Sequence, residues 1–159
     1  MAPTLRPGRA EDDAACGRII SAATKAAPTA ERLPHAQIYF EDTSPLAAEG
    51  YARLVAVDAA DHVLGFADYD PDRPHLRYLF VAPDAQGRGI GEHLVDAVQR
   101  AAGGDALTLT CFAVNDDALA WYLRHGFEIT GGGFRDLAGV DTVEIRLRRA
   151  ASADATKGR

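Results

Sequence analysis

Three glycines in five residues, Gly87, Gly89 and Gly91, stand between an apolar run ending Leu79-Phe80-Val81 and a helical pattern beginning near Glu92. No other feature of the chain restricts its fold as strongly. Pro83 stops the strand, because it has no N–H for a ladder and its φ is fixed. The glycines then permit positive φ and the close backbone approach that so short a strand-to-helix turn demands. A helix starting there presents its unpaired first N–H groups and the positive end of its dipole, an arrangement suited to an anion. Spacing excludes two nucleotide loops: no Lys-Ser or Lys-Thr completes GxxxxGK, and GxGxxG would need glycine where Glu92 stands. Glycines alone leave a second possibility, a tight turn that holds nothing.

Around this turn the hydrophobic period alternates between two and 3.6. Thr4 to Arg6 reads as extended, and Glu11 to Lys25 as a helix with Ala14, Ala15, Ile19 and Ala22 or Ala23 inward. Residues 28 to 50, with Pro28, Pro34, Pro45 and Gly50, read as a loop with one helical turn near His35 to Phe40. Tyr51–Val57 and Val63–Tyr69 form a hairpin about a turn at Asp58 to His62, and His75–Val81 is a third strand. The helix Glu92 to Ala102 presents Leu94, Val95 and Val98 on one face and stops at Gly103-Gly104. Leu107–Val114 follows as a strand, and strand, helix and strand make one crossover whose strands run parallel. Asn115 is the expected N-cap of a helix from Asp116 to His125, with Gly126 as its C′ residue. Phe127–Thr130 and Val140–Leu147 are expected as closing strands, joined by a loop containing Gly131-Gly132-Gly133.

The sequence of 159 residues suits one domain, spanning 1–149, with 150–159 as a flexible tail. At 47% apolar and 25% charged it matches neither a disordered nor a membrane chain, and no apolar run nears the roughly 20 residues of a spanning helix. The N-terminus lacks the apolar core of a secretory signal, which favours a cytoplasmic location. Two distant cysteines, Cys16 and Cys111, and five histidines without HExxH argue against a disulfide framework or a metal site. A net charge of −6 opposes phosphate-backbone binding, so no nucleic-acid or membrane partner is expected.

Across the whole strand, turn and helix, Leu79-Phe80-Val81, Pro83, and Gln86-x-x-Gly89-x-Gly91 resemble the GNAT acetyltransferases. A second element lies at the matching distance: Asn115, then Tyr122, then Gly126-Phe127, similar to that family's Asn, Tyr-x-x-x-Gly-Phe element. Alone it would read as a capped helix with a glycine stop. The resemblance is strong from 75 to 127 and holds in outline from 4 to 147. Residues 28 to 50, where such proteins usually build the acceptor site, match nothing specific.

The resemblance implies an α/β (α+β) domain: a central mixed sheet of about six to seven strands flanked by about four helices. It further implies an enzyme that takes acetyl from acetyl-CoA to a primary amine, small-molecule or peptide, by direct attack, without metal, and by family habit as a homodimer. The pyrophosphate would lie on backbone N–H groups of 87 to 91, chiefly Arg88, Gly89 and Gly91, with Gln86 and Gly87 completing the loop. The pantetheine arm would run between strands 75–81 and 107–114, bonded to the backbone of Leu79 and Val81 and to Asn115. By matching position, the Leu79 N–H polarises the thioester carbonyl, His75 takes the ammonium proton and Tyr122 returns a proton to the thiolate.

An unperturbed imidazole, with a pKa of about 6.5, suits that base; Asp68, Asp70 and Glu41 are the alternatives. Regular alternation would put His75, Arg77 and Leu79 on one face and Leu76, Tyr78 and Phe80 on the other, although the family's strand bulges here. Cys111, mid-strand, reads as a small buried hydrophobe rather than a nucleophile, and Trp121 and Phe112 as core. Two rival readings are a noncatalytic acyl-CoA-binding sensor and a protein-interaction module of the same fold.

Overall fold

The computed structural model describes residues 3–26, 50–137 and 139–151. Seven strands form one mixed sheet: β1 (Thr4–Pro7), β2 (Ala52–Val57), β3 (Val63–Asp70), β4 (His75–Val81), β5 (Leu107–Phe112), β6 (Phe127–Leu137) and β7 (Val140–Arg149). Their order is β1-β2-β3-β4-β5-β7-β6, and only the β4–β5 pair is parallel. Among the described residues there are three α-helices, α1 (Asp13–Ala26), α2 (Ile90–Ala101) and α3 (Asp116–Arg124), against the about four expected.

Alternation along β2 and β3 sends side chains to two separate cores. Val55, Val57 and Phe66 meet Cys16, Ile19 and Ile20 of α1 on one face. Ala56 and Ala67 meet Leu94, Val95 and Val98 of α2 on the other, joined by Leu107 and Leu109 of β5 and by Trp121 and Tyr122 of α3. Each fully buried Leu or Phe contributes about 1.5–3 kcal/mol, so the strip of α2 facing the sheet outweighs its weak helix-forming glycine. The tight β2–β3 turn has a local cause: Asp58 Oδ1 accepts the N–H groups of Ala60 and His62, both at 2.9 Å, and Asp61 takes a φ of 64°.

One buried ion pair fastens the α1 face. Arg53 Nε and Nη2 donate to the two carboxylate oxygens of Asp68 at 2.6 and 2.7 Å, and Nη1 reaches Asp13 at 3.3 Å. The guanidinium also lies 4.7 Å from the centre of the Phe66 ring. Bidentate geometry and a ring beneath the cation compensate its removal from water.

Several expectations need correction. The inward face of α1 is Cys16, Ile19, Ile20 and Thr24, whereas Ala14 and Ala22 are exposed; the sheet selects the larger side chains. Helix α2 starts at Ile90, two residues before Glu92, and β5 ends at Phe112 rather than Val114. Gly131-Gly132-Gly133 is not a loop but the middle of β6, in register with Arg146, Ile145 and Glu144. Ladder bonds to β7 override the poor strand propensity of glycine, and Arg146 fills the space over Gly131, where a Cβ would stand 2.6 Å from Nη2. The turn expected at His35 to Phe40 lies outside the described residues, as do Glu41 and 152–159 of the tail; Ala150 and Ala151 have no regular structure.

Replacing Asp68 with Ala strands the Arg53 charge beneath the sheet. The variant should lose about 3–5 kcal/mol in urea unfolding, and the double change Arg53→Met with Asp68→Ala should recover much of it.

Candidate functional site

The site begins where the sheet separates. β4 and β5 pair only at His75–Thr108, with Thr108 N–H donating to Pro74 C=O at 2.9 Å, although β4 continues to Val81 and β5 to Phe112. β4 is paired with β3 and β5 with β7 along their lengths, so the outer edges of both strands are occupied and the inner edges face an opening. On the β3 side, Ala82 N–H donates to Leu64 C=O at 2.8 Å. Antiparallel pairs alternate between bonded and non-bonded, and the register sets Gly65 opposite Val81 and Ala67 opposite Leu79. The peptide groups of Val81 and Leu79 therefore point away from β3, into the opening. Gln86 Nε2 occupies the Val81 carbonyl at 3.2 Å, and the Leu79 N–H remains directed at the gap.

Beyond β4 the short turn Pro83–Ala85 leads to the glycine loop. Gly87 and Gly89 have φ of 80° and 79°, and Gly89 is the N-cap of α2. His93 N–H closes the first helical bond on Gly89 C=O at 3.1 Å, so the N–H groups between them have no intrahelical partner. Gly91 is required for a different reason: a Cβ there would stand 3.0 Å from Trp121 Cζ2. That indole stacks on His125 one turn further along α3, at 3.9 Å between ring centres, which holds the indole in place against Gly91 at the start of α2. Exposed Arg88 folds back, Nη2 donating to Asp84 C=O at 3.1 Å.

At the closed end of the opening, His75 Nδ1 lies 2.9 Å from Thr108 Oγ1, which lies 3.3 Å from Pro74 C=O. With the Thr108 proton given to that carbonyl, Oγ1 accepts the Nδ1–H and leaves the lone pair on Nε2. Burial, and secondarily the Arg73 cation, lower the His75 pKa from its ordinary 6.5, with Asp70 opposing them. Of the alternative bases, Asp68 is bound by Arg53, and Asp70 holds the N–H groups of Asp72 and Arg73 as well as Arg73 Nε. Thr108 carries a role that sequence reading missed; its place between buried Leu107 and Leu109 was the available signal.

The simple alternation expected for β4 does not hold. Asp68 pairs with Tyr78 and Tyr69 with Leu76, so Arg77 is an extra residue, a β-bulge. Leu76 thereby joins Leu79 and Val81 on the α2 face, while Tyr78 and Phe80 pack on the α1 face. His75, adjacent to Leu76 in the strand, projects to the α1 side, where it meets Thr108.

Tyr122 of α3 packs edge-on to Phe127 and Trp121, with ring centres 5.4 and 5.3 Å apart. Burial, and then Cys111, raise its pKa above the ordinary phenol value, so the proton stays on. Burial likewise pushes the Cys111 thiol up to about 11, which keeps it from acting as a thiolate nucleophile at neutral pH. Asn115 occupies the N-cap position of α3, but its side chain makes no capping bond; only its C=O joins the helix, accepting Leu119 N–H at 3.0 Å. The structure thus brings Leu79, Val81, Gln86, the glycine loop and His75 along one strand and its exit, with α3 carrying Tyr122 and Asn115 beside them. Among the described residues, no group of three or more His, Cys, Asp or Glu side chains is placed to hold a metal ion.

Residues 49–129, just over half of the chain, match the model of the acetyltransferase (GNAT) domain. The chain is 35% identical over 95 residues to the L-methionine sulfoximine/L-methionine sulfone acetyltransferase of Pseudomonas aeruginosa, covering 54% of this chain and 55% of that protein. It is 36% identical over 77 residues to the peptidyl-lysine N-acetyltransferase YjaB of Salmonella typhimurium, covering 48% of this chain and 50% of that protein. The aligned part thus spans about half the length of these curated relatives. A crystal structure of a GCN5-related N-acetyltransferase from Rhodopseudomonas palustris superimposes with a TM-score of 0.77 at 26% identity, covering 94% of this chain and 96% of that one.

The two kinds of glycine requirement should separate in urea unfolding. Gly91→Val drives a side chain into Trp121 and should cost about 1–3 kcal/mol. Gly87→Ala meets no atom within 4 Å, so it should cost only the left-handed backbone penalty of about 1 kcal/mol.

Proposed function

The chain belongs to the GNAT acetyltransferase family, and from that premise we propose that it transfers the acetyl group of acetyl-CoA to a primary amine by direct attack. The observation that carries this reading is the Leu79 N–H directed into the β4–β5 opening, in line with the bare N–H groups at the start of α2. A thioester with a pyrophosphate at its far end needs that pair of donors: one for the carbonyl oxygen and a cluster for the phosphates.

Acetyl-CoA supplies an acyl group already activated toward an amine. The loop of Gln86, Gly87, Arg88, Gly89 and Gly91 holds the pyrophosphate, with Arg88 adding charge. The Val81 and Leu79 backbone and the Asn115 amide hold the arm that lies in the opening. Leu79 N–H stabilises the oxygen on which negative charge grows, a contribution no side-chain change at 79 removes. An alkylamine with a pKa of about 10.4 arrives protonated, and His75 Nε2 takes that proton. The departing thiolate, with a parent pKa of about 8.5 by analogy with cysteine, is a weaker base than the Tyr122 phenolate, so the protonated phenol acts by donating a hydrogen bond to the sulfur and passes its proton on only in an uphill step as the C–S bond breaks. Direct attack is supported by Cys111, whose thiol is held up to about 11.

The reading is tested by calorimetric titration of acetyl-CoA into the wild type and into Gly89→Glu, which puts a carboxylate into the phosphate cradle. Binding to the wild type and its loss in the folded variant are expected; no binding to the wild type sinks the reading and favours the interaction module. Binding without CoA release from any amine would identify a noncatalytic sensor. In steady-state assays on a turned-over amine, kcat should fall with decreasing pH through an inflection below 6.5, because the working form of His75 is neutral and its pKa is lowered. His75→Gln should lack that inflection and lose about 10²-fold in kcat, and Tyr122→Phe about 10-fold or more.

A further inference from the structure

The arginine at the bulge of β4 has no place in the mechanism above, yet it is held in a defined position. Arg77 is the extra residue between the pairs Asp68–Tyr78 and Tyr69–Leu76, and a bulge re-aims the side chain it carries. Its guanidinium lies 4.7 Å from the ring centre of Tyr51 and 4.7 Å from that of Tyr78. Stacking of this kind covers the faces of the cation and leaves its in-plane N–H donors for other partners.

Those donors have no anion among the described residues. The other buried or half-buried arginines among the described residues do: Arg6 with Asp12 and Asp61, Arg53 with Asp68 and Asp13, Arg149 with Asp96. In a chain with 23 acidic residues against 17 basic ones, a half-buried cation stacked on two tyrosines and left without a carboxylate among the described residues is an exception.

Its position points to the acceptor. Tyr51 shares the face of Arg53, two residues on, and Tyr78 packs with the α1-side core. Arg77 thus lies on the same side of the sheet as His75. It stands two residues from His75 and two from Leu79, about 7 Å along the strand from each at ~3.3 Å per residue. The arginine that precedes it in the chain, Arg73, is paired with Asp70. One unpaired planar cation matches one planar, singly charged group, which a guanidinium grips through two parallel hydrogen bonds.

We propose that Arg77 binds the carboxylate of the acceptor, so that the amine acetylated by this chain is that of an α-amino acid or a close analogue. This deepens the acetyl-transfer reading and rests on it. An α-amino acid carries its carboxylate two bonds from the nitrogen, which suits a cation one bulge away from the base and the Leu79 N–H. Tyr51 and Tyr78 supply both the stacking that orients the guanidinium and an apolar wall beside it.

The test measures CoA release, with acetyl-CoA saturating, from a panel of L-α-amino acids, each compared with its own carboxamide. At least one acid should exceed its carboxamide by about 10- to 100-fold in kcat/KM, the range expected for a hydrogen-bonded charge pair. Arg77→Gln should bring that ratio close to one through a raised KM for the acid, and Arg77→Lys, which keeps the charge but not the fork, should fall between. Acids no better than their carboxamides, a preference that survives in Arg77→Gln, or CoA release from other amines but from no acid would each overturn the proposal and leave acetyl transfer standing. Failure of the wild type to bind acetyl-CoA is read separately, by titration, and counts against the transferase reading itself.

Discussion

A peptide group in a sheet can serve one neighbour on each edge. β4 gives one edge to β3 and β5 gives one to β7, and after the single pair His75–Thr108 the two strands no longer serve each other. The rest of the site depends on this division. It turns the middle of a sheet, normally its most saturated part, into a slot lined by backbone donors and acceptors. Gln86 meets one of them at the Val81 carbonyl, and the glycine loop continues the line of N–H groups into α2. Because backbone rather than side chains supplies these groups, they are held by the whole sheet and cost no rotamer entropy.

The side chains around the slot share an electrostatic character. Burial drives each toward its uncharged form: His75 downward, Tyr122 and Cys111 upward. A neutral imidazole offers a lone pair and a neutral phenol offers an O–H, so the same desolvation leaves an acceptor at His75 and a hydrogen-bond donor at Tyr122. Two arginines of the sheet lie on the α1 face. There Arg53 is neutralised by Asp68 and Asp13, whereas Arg77, lifted out of register by the bulge, is stacked on two tyrosines and meets no carboxylate among the described residues.

Much of this was readable from local pattern. The hairpin about Asp58, the crossover from β4 to β5 and the two glycine stops followed from period and turn chemistry, which act within a few residues. The glycine loop was legible because both positive φ and close approach leave the same mark. Reading failed where a distant partner decided. Gly131-Gly132-Gly133 became strand because β7 lay beside it, and α1 turned Cys16 and Ile20 inward because the sheet offered room for them. The Asn115 side chain, a natural cap by spacing, makes no capping bond.

By itself the sequence determined the element types outside Gly131-Gly132-Gly133, the strand-to-helix turn with its anion-binding geometry, and the residue types at 75, 79, 115 and 122 that bear the family resemblance. Those features depend on backbone preferences and short-range spacing, which a chain carries whether folded or not. Only the tertiary structure decided that the sheet opens after His75–Thr108, that Thr108 holds the His75 ring, and that Arg77 bulges out between two tyrosines. Each of these is a matter of register between strands, and register is set by what all seven strands bury together.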